Sequence, residues 1–176
     1  MGKARKSGDE LHYLGMQPAA LVILQDPTTS HILLVKRKDV PIWVIPGGGI
    51  DEGEEPECAA LRELFEETTL SASKLVLRCH LFPVNRWAAE TFIFFSNFFE
   101  GSPVSTAETA AVAFFPLDQL PDSLFIIHRQ WLFKALSTES LIQGKIEEVT
   151  WKSIIGYAIR SPKIVFGFLW TYLTKL

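Results

Sequence analysis

Three glutamates, Glu63, Glu66 and Glu67, follow the run Pro46-Gly47-Gly48-Gly49 in a segment with helical character. At about 100° per residue, Glu66 and Glu67 fall on either side of Glu63, within about one turn. Like charges at this spacing destabilise an isolated helix by roughly 0.2–0.5 kcal/mol per pair. A hard divalent cation such as Mg²⁺ offsets that cost, because it prefers carboxylate oxygens and brings phosphate-bearing substrates with it. Arg62 sits beside the three carboxylates, and the glycines let backbone approach a ligand closely. The same wheel predicts an opposite, packing face made of Cys58, Leu61, Leu64 and Phe65. Gly48 and Gly53 have P-loop spacing, but Glu54 and Glu55 stand where that motif needs Lys and Ser or Thr. A loop of that sign reaches phosphate through metal.

The segment resembles the signature of the Nudix hydrolases. That signature is Gly, five residues, Glu, seven residues, Arg-Glu, an aliphatic, any residue, Glu-Glu, any residue, Gly, an aliphatic. Here Gly48, Glu54, Arg62, Glu63, Leu64, Glu66, Glu67 and Leu70 match it, and Thr69 replaces the last glycine. A helix ends at such a position with φ > 0, where a β-branched residue is disfavoured. The resemblance implies an α+β fold, a mixed β-sheet sandwiched between helices, with the box as loop–helix–loop. It implies Glu63, Glu66 and Glu67 as ligands of Mg²⁺ or Mn²⁺, with the Gly47 carbonyl as a further ligand. Glu63, Glu67 or a residue from a later loop would take the proton from water attacking a diphosphate. Glu54 and Arg62 would hold the ligands in place. Glu108, in a polar loop before an apolar strand, is where several Nudix enzymes place another acid. The implied reaction divides a nucleoside diphosphate linked to another moiety into a nucleoside monophosphate and a phosphorylated remainder.

Outside the box the candidates are substrate contacts. Arg37, with Lys36 and Lys38, is placed to meet phosphates, or else is a solvated strand end. Arg86 and Trp87 fall in a loop, where specificity commonly resides, and Trp43 and Phe82 are further aromatic candidates, Trp43 reading rather as core. Pro83 lies close to where ADP-ribose hydrolases carry a proline, in imperfect register. His12, His31, His80 and His128 show no ligand spacing, and no G-x-S-x-G elbow is present. Two alternatives stand beside the hydrolase. One is a catalytically silent nucleotide-binding module on the same fold, against which the intact glutamates argue. The other is a different enzyme on that fold: an isomerase of isopentenyl diphosphate needs a cysteine at the site, and a base-excision glycosylase a second domain.

These residues must be positioned by strands. Apolar runs at 19–24 and 31–35, with Asp26-Pro27-Thr28-Thr29-Ser30 between them, predict a hairpin. A short strand at 42–45 delivers the chain into the glycines as a turn, and Pro56 suits the first turn of the box helix. Strands follow at 75–82, 91–99 and 110–115, then a helical turn at 117–120 and a helix at 123–136. The reading is a flexible basic stretch at 1–16, a catalytic domain at 17–140 and an apolar helical extension at 141–176. That extension packs on the domain; a homodimer contact and a membrane-surface helix are the alternatives, because its apolar runs at 154–159 and 164–173 fall short of the roughly 20 residues that span a bilayer.

A chain of 176 residues fits one domain. Its net charge of −3 and pI near 5.8 argue against a nucleic-acid-binding surface, and the small-molecule diphosphate partner is what the resemblance implies. Eight of its 20 acidic residues lie between Asp51 and Glu67, so the negative charge is local. Two cysteines without a CxxC exclude a disulfide framework and a zinc knuckle, and predict a reducing, cytoplasmic setting. The N-terminus starts like a myristoylation site, but Lys6 stands where Ser or Thr is needed.

Overall fold

The computed structural model describes residues 16–150. Strands β1 (Ala19–Leu24), β2 (Ile32–Arg37), β3 (Trp43–Val44) and β4 (Gly47–Gly49) precede helix α1 (Pro56–Thr68). After it come β5 (Ser71–Ser73), β6 (Val76–Pro83), β7 (Thr91–Ser96), β8 (Phe98–Glu100) and β9 (Thr109–Phe115). A 3-10 turn (Leu117–Gln119), helix α2 (Ile126–Leu136) and β10 (Ile142–Ile146) complete it. The main sheet has the order β10-β6-β7-β1-β4, a second sheet runs β3-β2-β9, and β5 pairs with β8. β1 runs parallel to β7 and β10 parallel to β6, so the main sheet is mixed.

Successive side chains of a strand face opposite ways, and β1 is apolar throughout, so it serves two cores. Leu21 and Ile23 join Trp131 and Leu132 of α2. Ala20, Val22 and Leu24 join Ala59, Ala60 and Leu64 of α1. The sheet is thus sandwiched between helices, as the sequence predicts. His128 of α2 adds a polar link. The Ile45 N–H donates to its Nδ1 at 3.1 Å, and burial pushes the imidazole pKa down to about 3, so the ring stays neutral.

Four expectations need correction. The runs at 19–24 and 31–35 are not a hairpin: β1 and β2 belong to different sheets and meet only in a bridge between Gln25 and Ile32. Each is claimed on both edges by other strands. The glycines are not a free turn either, since Gly47–Gly49 pair antiparallel with Leu21, Ala20 and Ala19. The packing face of α1 is Ala59, Ala60, Leu64 and Thr68, whereas Cys58 is exposed and Phe65 is 55% exposed. Small alanines let the helix come close to the sheet, and Glu63 and Glu67 flank that stripe. Finally, residues 142–146 are strand where a helix is expected; Ile142 and Ile146 turn inward and Gly144 disfavours helix. The remainder of the predicted extension, and the predicted flexible residues 1–15, lie outside the described residues.

Thr69 ends α1 at φ 63°, its N–H bonded to the Phe65 carbonyl at 2.8 Å. A residue with a Cβ bears about 1–2 kcal/mol there, partly offset by the Oγ1 bond to the Ser102 carbonyl. Gly at this position also loses more chain entropy on folding, roughly 0.5–1 kcal/mol. Thr69→Gly is therefore expected to raise stability modestly, by roughly 0.5 kcal/mol, read from the urea midpoint.

Candidate active site

Two elements set the geometry. β4 is the edge strand of the main sheet and α1 packs against it, so Glu63 and Glu67 reach back to the glycines. A Cβ built on Gly48 would sit 2.4 Å from the Glu63 carboxyl group, so it is glycine at this position that lets the carboxyl lie directly against the strand. The Gly47 N–H donates to Glu67 Oε2 at 2.9 Å, leaving Oε1 for other partners. The Gly47 carbonyl, which the family resemblance implies as a ligand, takes no part in that bond.

Arg62 organises the rest. Its Nε and Nη2 form a fork onto both oxygens of Glu54, at 2.9 and 2.8 Å. Nη1 reaches Glu63 Oε1 at 2.7 Å and Glu66 Oε2 at 3.3 Å, and Nη2 also donates to the Gly49 carbonyl at 3.0 Å. One guanidinium thereby fixes three carboxylates, a geometry that a lysine point charge does not supply. The arginine bonds hold the Glu54 carboxyl down to about pKa 2. Glu63 shifts the other way because burial outweighs its arginine bond.

A fifth carboxylate arrives from far along the chain. Glu108 precedes β9, and single oxygens of Glu63, Glu66 and Glu108 lie within 4.8 Å of one another. Lys38 holds that loop, its Nζ donating to the carbonyls of Thr106 and Ala107 at 3.0 and 2.6 Å. Thr109 Oγ1 donates to the Glu67 carbonyl at 2.9 Å, tying the loop to α1. Lys38, a candidate phosphate contact in the sequence, thus turns its ammonium to the loop. A lysine after a strand gives no signal of such a role.

A cleft of about 410 Å³ opens beside these groups, lined by Arg37, Lys38, Asp39, Glu67, Ala107, Glu108 and Thr109. Arg37 Nε donates to Asp39 Oδ1 at 2.8 Å, which places a charged pair in the wall. The structure therefore brings together Glu54, Arg62, Glu63, Glu66, Glu67 and Glu108, with Arg37 at the cleft. Arg86 and Trp87 lie in the loop between β6 and β7 and do not line it. Trp43 packs on Phe115 in the core, ring centroids 4.9 Å apart.

A family model for the NUDIX domain matches residues 15–135. The chain belongs to the Nudix family. Its Nudix character recurs in individual relatives. It is 37% identical over 112 residues to the "Putative 8-oxo-dGTP diphosphatase" of Bacillus subtilis (strain 168), across 63% of this chain and 72% of that protein. It is 41% identical over 78 residues to an ADP-ribose pyrophosphatase of the same organism, across 42% and 40% of the two chains. Among solved structures, a MutT NUDIX hydrolase from Burkholderia pseudomallei superposes with TM-score 0.57 at 27% identity, over 68% of this chain and 98% of that one. As a Nudix hydrolase, this chain is an enzyme of diphosphate bonds, and the family generally uses divalent metals.

The donor set suits such an ion. Three hard carboxylates converge near the C-terminal half of α1, where the helix already carries partial negative charge and no basic residue occupies the last turn. Without a cation, Glu67 bears the strain: burial, then Glu63 and Glu108, push its pKa up to about 8 against the relief of the Gly47 bond. The folded state then holds a proton that the unfolded chain releases near pH 4.5. Stability in chelator is therefore fully present below that pH and is lost as pH rises toward 8, by an amount of the order of a few kcal/mol. Urea melts across this window should show the decline, and Glu67→Gln should flatten it.

Proposed function

We propose that this Nudix enzyme is a Mg²⁺- or Mn²⁺-dependent pyrophosphohydrolase. Its substrate class is a nucleoside diphosphate linked to another moiety, split by in-line attack of water on one phosphorus. The observation that carries this reading is the convergence of Glu63, Glu66 and Glu108 beside the cleft that Glu67 lines. These three carboxylates would hold the ion, which when bound neutralises diphosphate oxygens and orients and acidifies water. Glu67 is the proton acceptor: Oε2 is held by the Gly47 N–H, and Oε1 takes the proton of the attacking water. Arg62 keeps Glu63 and Glu66 in their rotamers, and Glu54 keeps Arg62 in place. Arg37 steers the phosphate chain into the cleft. Two unpaired cysteines, Cys58 exposed and Cys79 buried, support a reducing cytoplasmic setting.

The relatives' names supply the test panel: 8-oxo-dGTP and ADP-ribose, with a nucleotide sugar and a dinucleoside polyphosphate added. Monophosphate release is followed with Mg²⁺, with Mn²⁺ and with chelator. Turnover that needs metal and favours one panel member is expected and names the substrate class. A folded protein inert toward the whole panel would sink the hydrolase reading for these substrates and leave the silent nucleotide-binding module.

A further inference from the structure

His128 is an ionisable group that the proposed chemistry leaves unused. Its ring meets Phe125 edge-on and stacks on Trp131, with centroids 5.4 and 5.5 Å away. Nδ1 accepts the Ile45 N–H, which places the ring hydrogen on Nε2. Burial, with the charge of Arg37 added, pushes the pKa down to about 3, so the acceptor is permanent at any working pH. The amide it holds belongs to a short irregular piece of chain, since Ile45 and Pro46 lie between β3 and β4 and in neither. Neighbouring bonds fix the near end of that piece. The Trp43 N–H donates to the Ser123 carbonyl at 3.0 Å, and the Phe125 N–H to the Trp43 carbonyl at 2.9 Å. Beyond it, one peptide unit joins two elements: the Pro46 carbonyl accepts the Val22 N–H of β1 at 2.9 Å, and the Gly47 N–H donates to Glu67 of α1.

We propose that His128 is a positioning residue for the reaction. Its bond to Ile45 sets the angle of the Pro46–Gly47 peptide, and through it keeps Glu67 Oε2 occupied and Oε1 free for the attacking water. The incoming side governs that angle for a conformational reason. Pro46 has its φ fixed by the ring, so the direction given to the chain at Ile45 is passed on. On the outgoing side Gly47, at φ 144°, has no side chain to resist rotation. An apolar residue at 128 would fill the space beside Phe125 and Trp131 equally well. What only an acceptor supplies is the hold on the Ile45 amide. The inference rests on the reading of Glu67 as the proton acceptor.

Three variants of the full chain test this. His128→Leu keeps apolar bulk without an acceptor, and His128→Asn keeps an oxygen close to the place of Nδ1. Pro46→Gly frees φ while leaving the His128 bond in place. Each is compared with wild type by thermal melting, by NMR amide exchange in chelator, and by kinetics on the best panel substrate. In His128→Leu the Gly47 amide should exchange at least about tenfold faster, and kcat should fall by about 10–10²-fold with KM within about twofold. His128→Asn should recover both. Pro46→Gly should speed exchange at Gly47 while the Ile45 amide stays protected, and it carries the test if His128→Leu does not fold. Unchanged Gly47 exchange in a folded His128→Leu or Pro46→Gly would overturn the proposal. So would a loss in KM rather than kcat, or a folded His128→Asn no better than His128→Leu. An inert wild type is a different failure, that of the hydrolase reading; the exchange rates, taken without metal or substrate, still decide whether His128 positions Gly47.

Discussion

Glu67→Gln is expected to lower kcat by about 10²–10⁴-fold, the usual worth of a positioned general base, while the protein melts no earlier than wild type. The two halves of that result have separate causes. Gln keeps an oxygen to accept the Gly47 N–H, so the bond at 2.9 Å survives. Removing the ionisable group also removes the cost of a buried charge beside Glu63 and Glu108, the causes that push its pKa up to about 8. Stability at neutral pH should therefore hold or rise while the proton acceptor disappears. Steady-state kinetics and a melt on one preparation decide the matter. Wild-type turnover in the variant would transfer the base role to another group, with Glu108 and Glu63 next in line by position.

The glycines of β4 should divide into two kinds. Gly47 has φ 144°, and an added Cβ would lie 2.2 Å from the Ala20 carbonyl oxygen and 2.7 Å from the Leu21 Cα. Those are backbone atoms of β1, which is paired on both edges, and cannot step aside, so Gly47→Ala should cost roughly 3 kcal/mol or more. At Gly48 the obstacle is the carboxyl end of Glu63, which can rotate away. Gly48→Ala should thus fold nearly as well as wild type and yet lose activity, by about 10²-fold for a displacement of this order. Denaturant melts separate the first variant from wild type, and kinetics the second. Equal stability losses in both would mean that Glu63 is not the mobile partner.

That division was not legible in the sequence. The four glycine-run residues read as a turn, because glycine is associated with turns and nothing local says that β1 is waiting to pair with them. The signature itself was legible, since its spacing fixes Arg62 between Glu54 and Glu63, and the predicted helix starts at Pro56 as found. Which face of that helix packs was misread for a physical reason. Periodicity ranks side chains by hydrophobicity, and here Ala59 and Ala60 matter for their smallness while Phe65 is left outside. Glu108 was within reach of the sequence as an acid before a strand; its proximity to Glu63 and Glu66 depends on Lys38 and Thr109, whose bonds join segments about seventy and forty residues apart. Pairing partners of β1 were equally invisible, because an apolar strand fits several neighbours and the choice is made by the whole sheet.

The position of β1 between β4 and β7 has a consequence for the order in which the molecule comes into being. During synthesis from the N-terminus, residues 19–24 and the box helix emerge well before Thr91–Ser96, which supply the other edge of β1. Trp131 and Leu132, which cover its second face, emerge later still. The carboxylates are thus translated early onto a scaffold that is completed late, and long-range pairing of this kind is slow. A nascent chain halted before β7 should bind no metal and should engage chaperones through the bare strand.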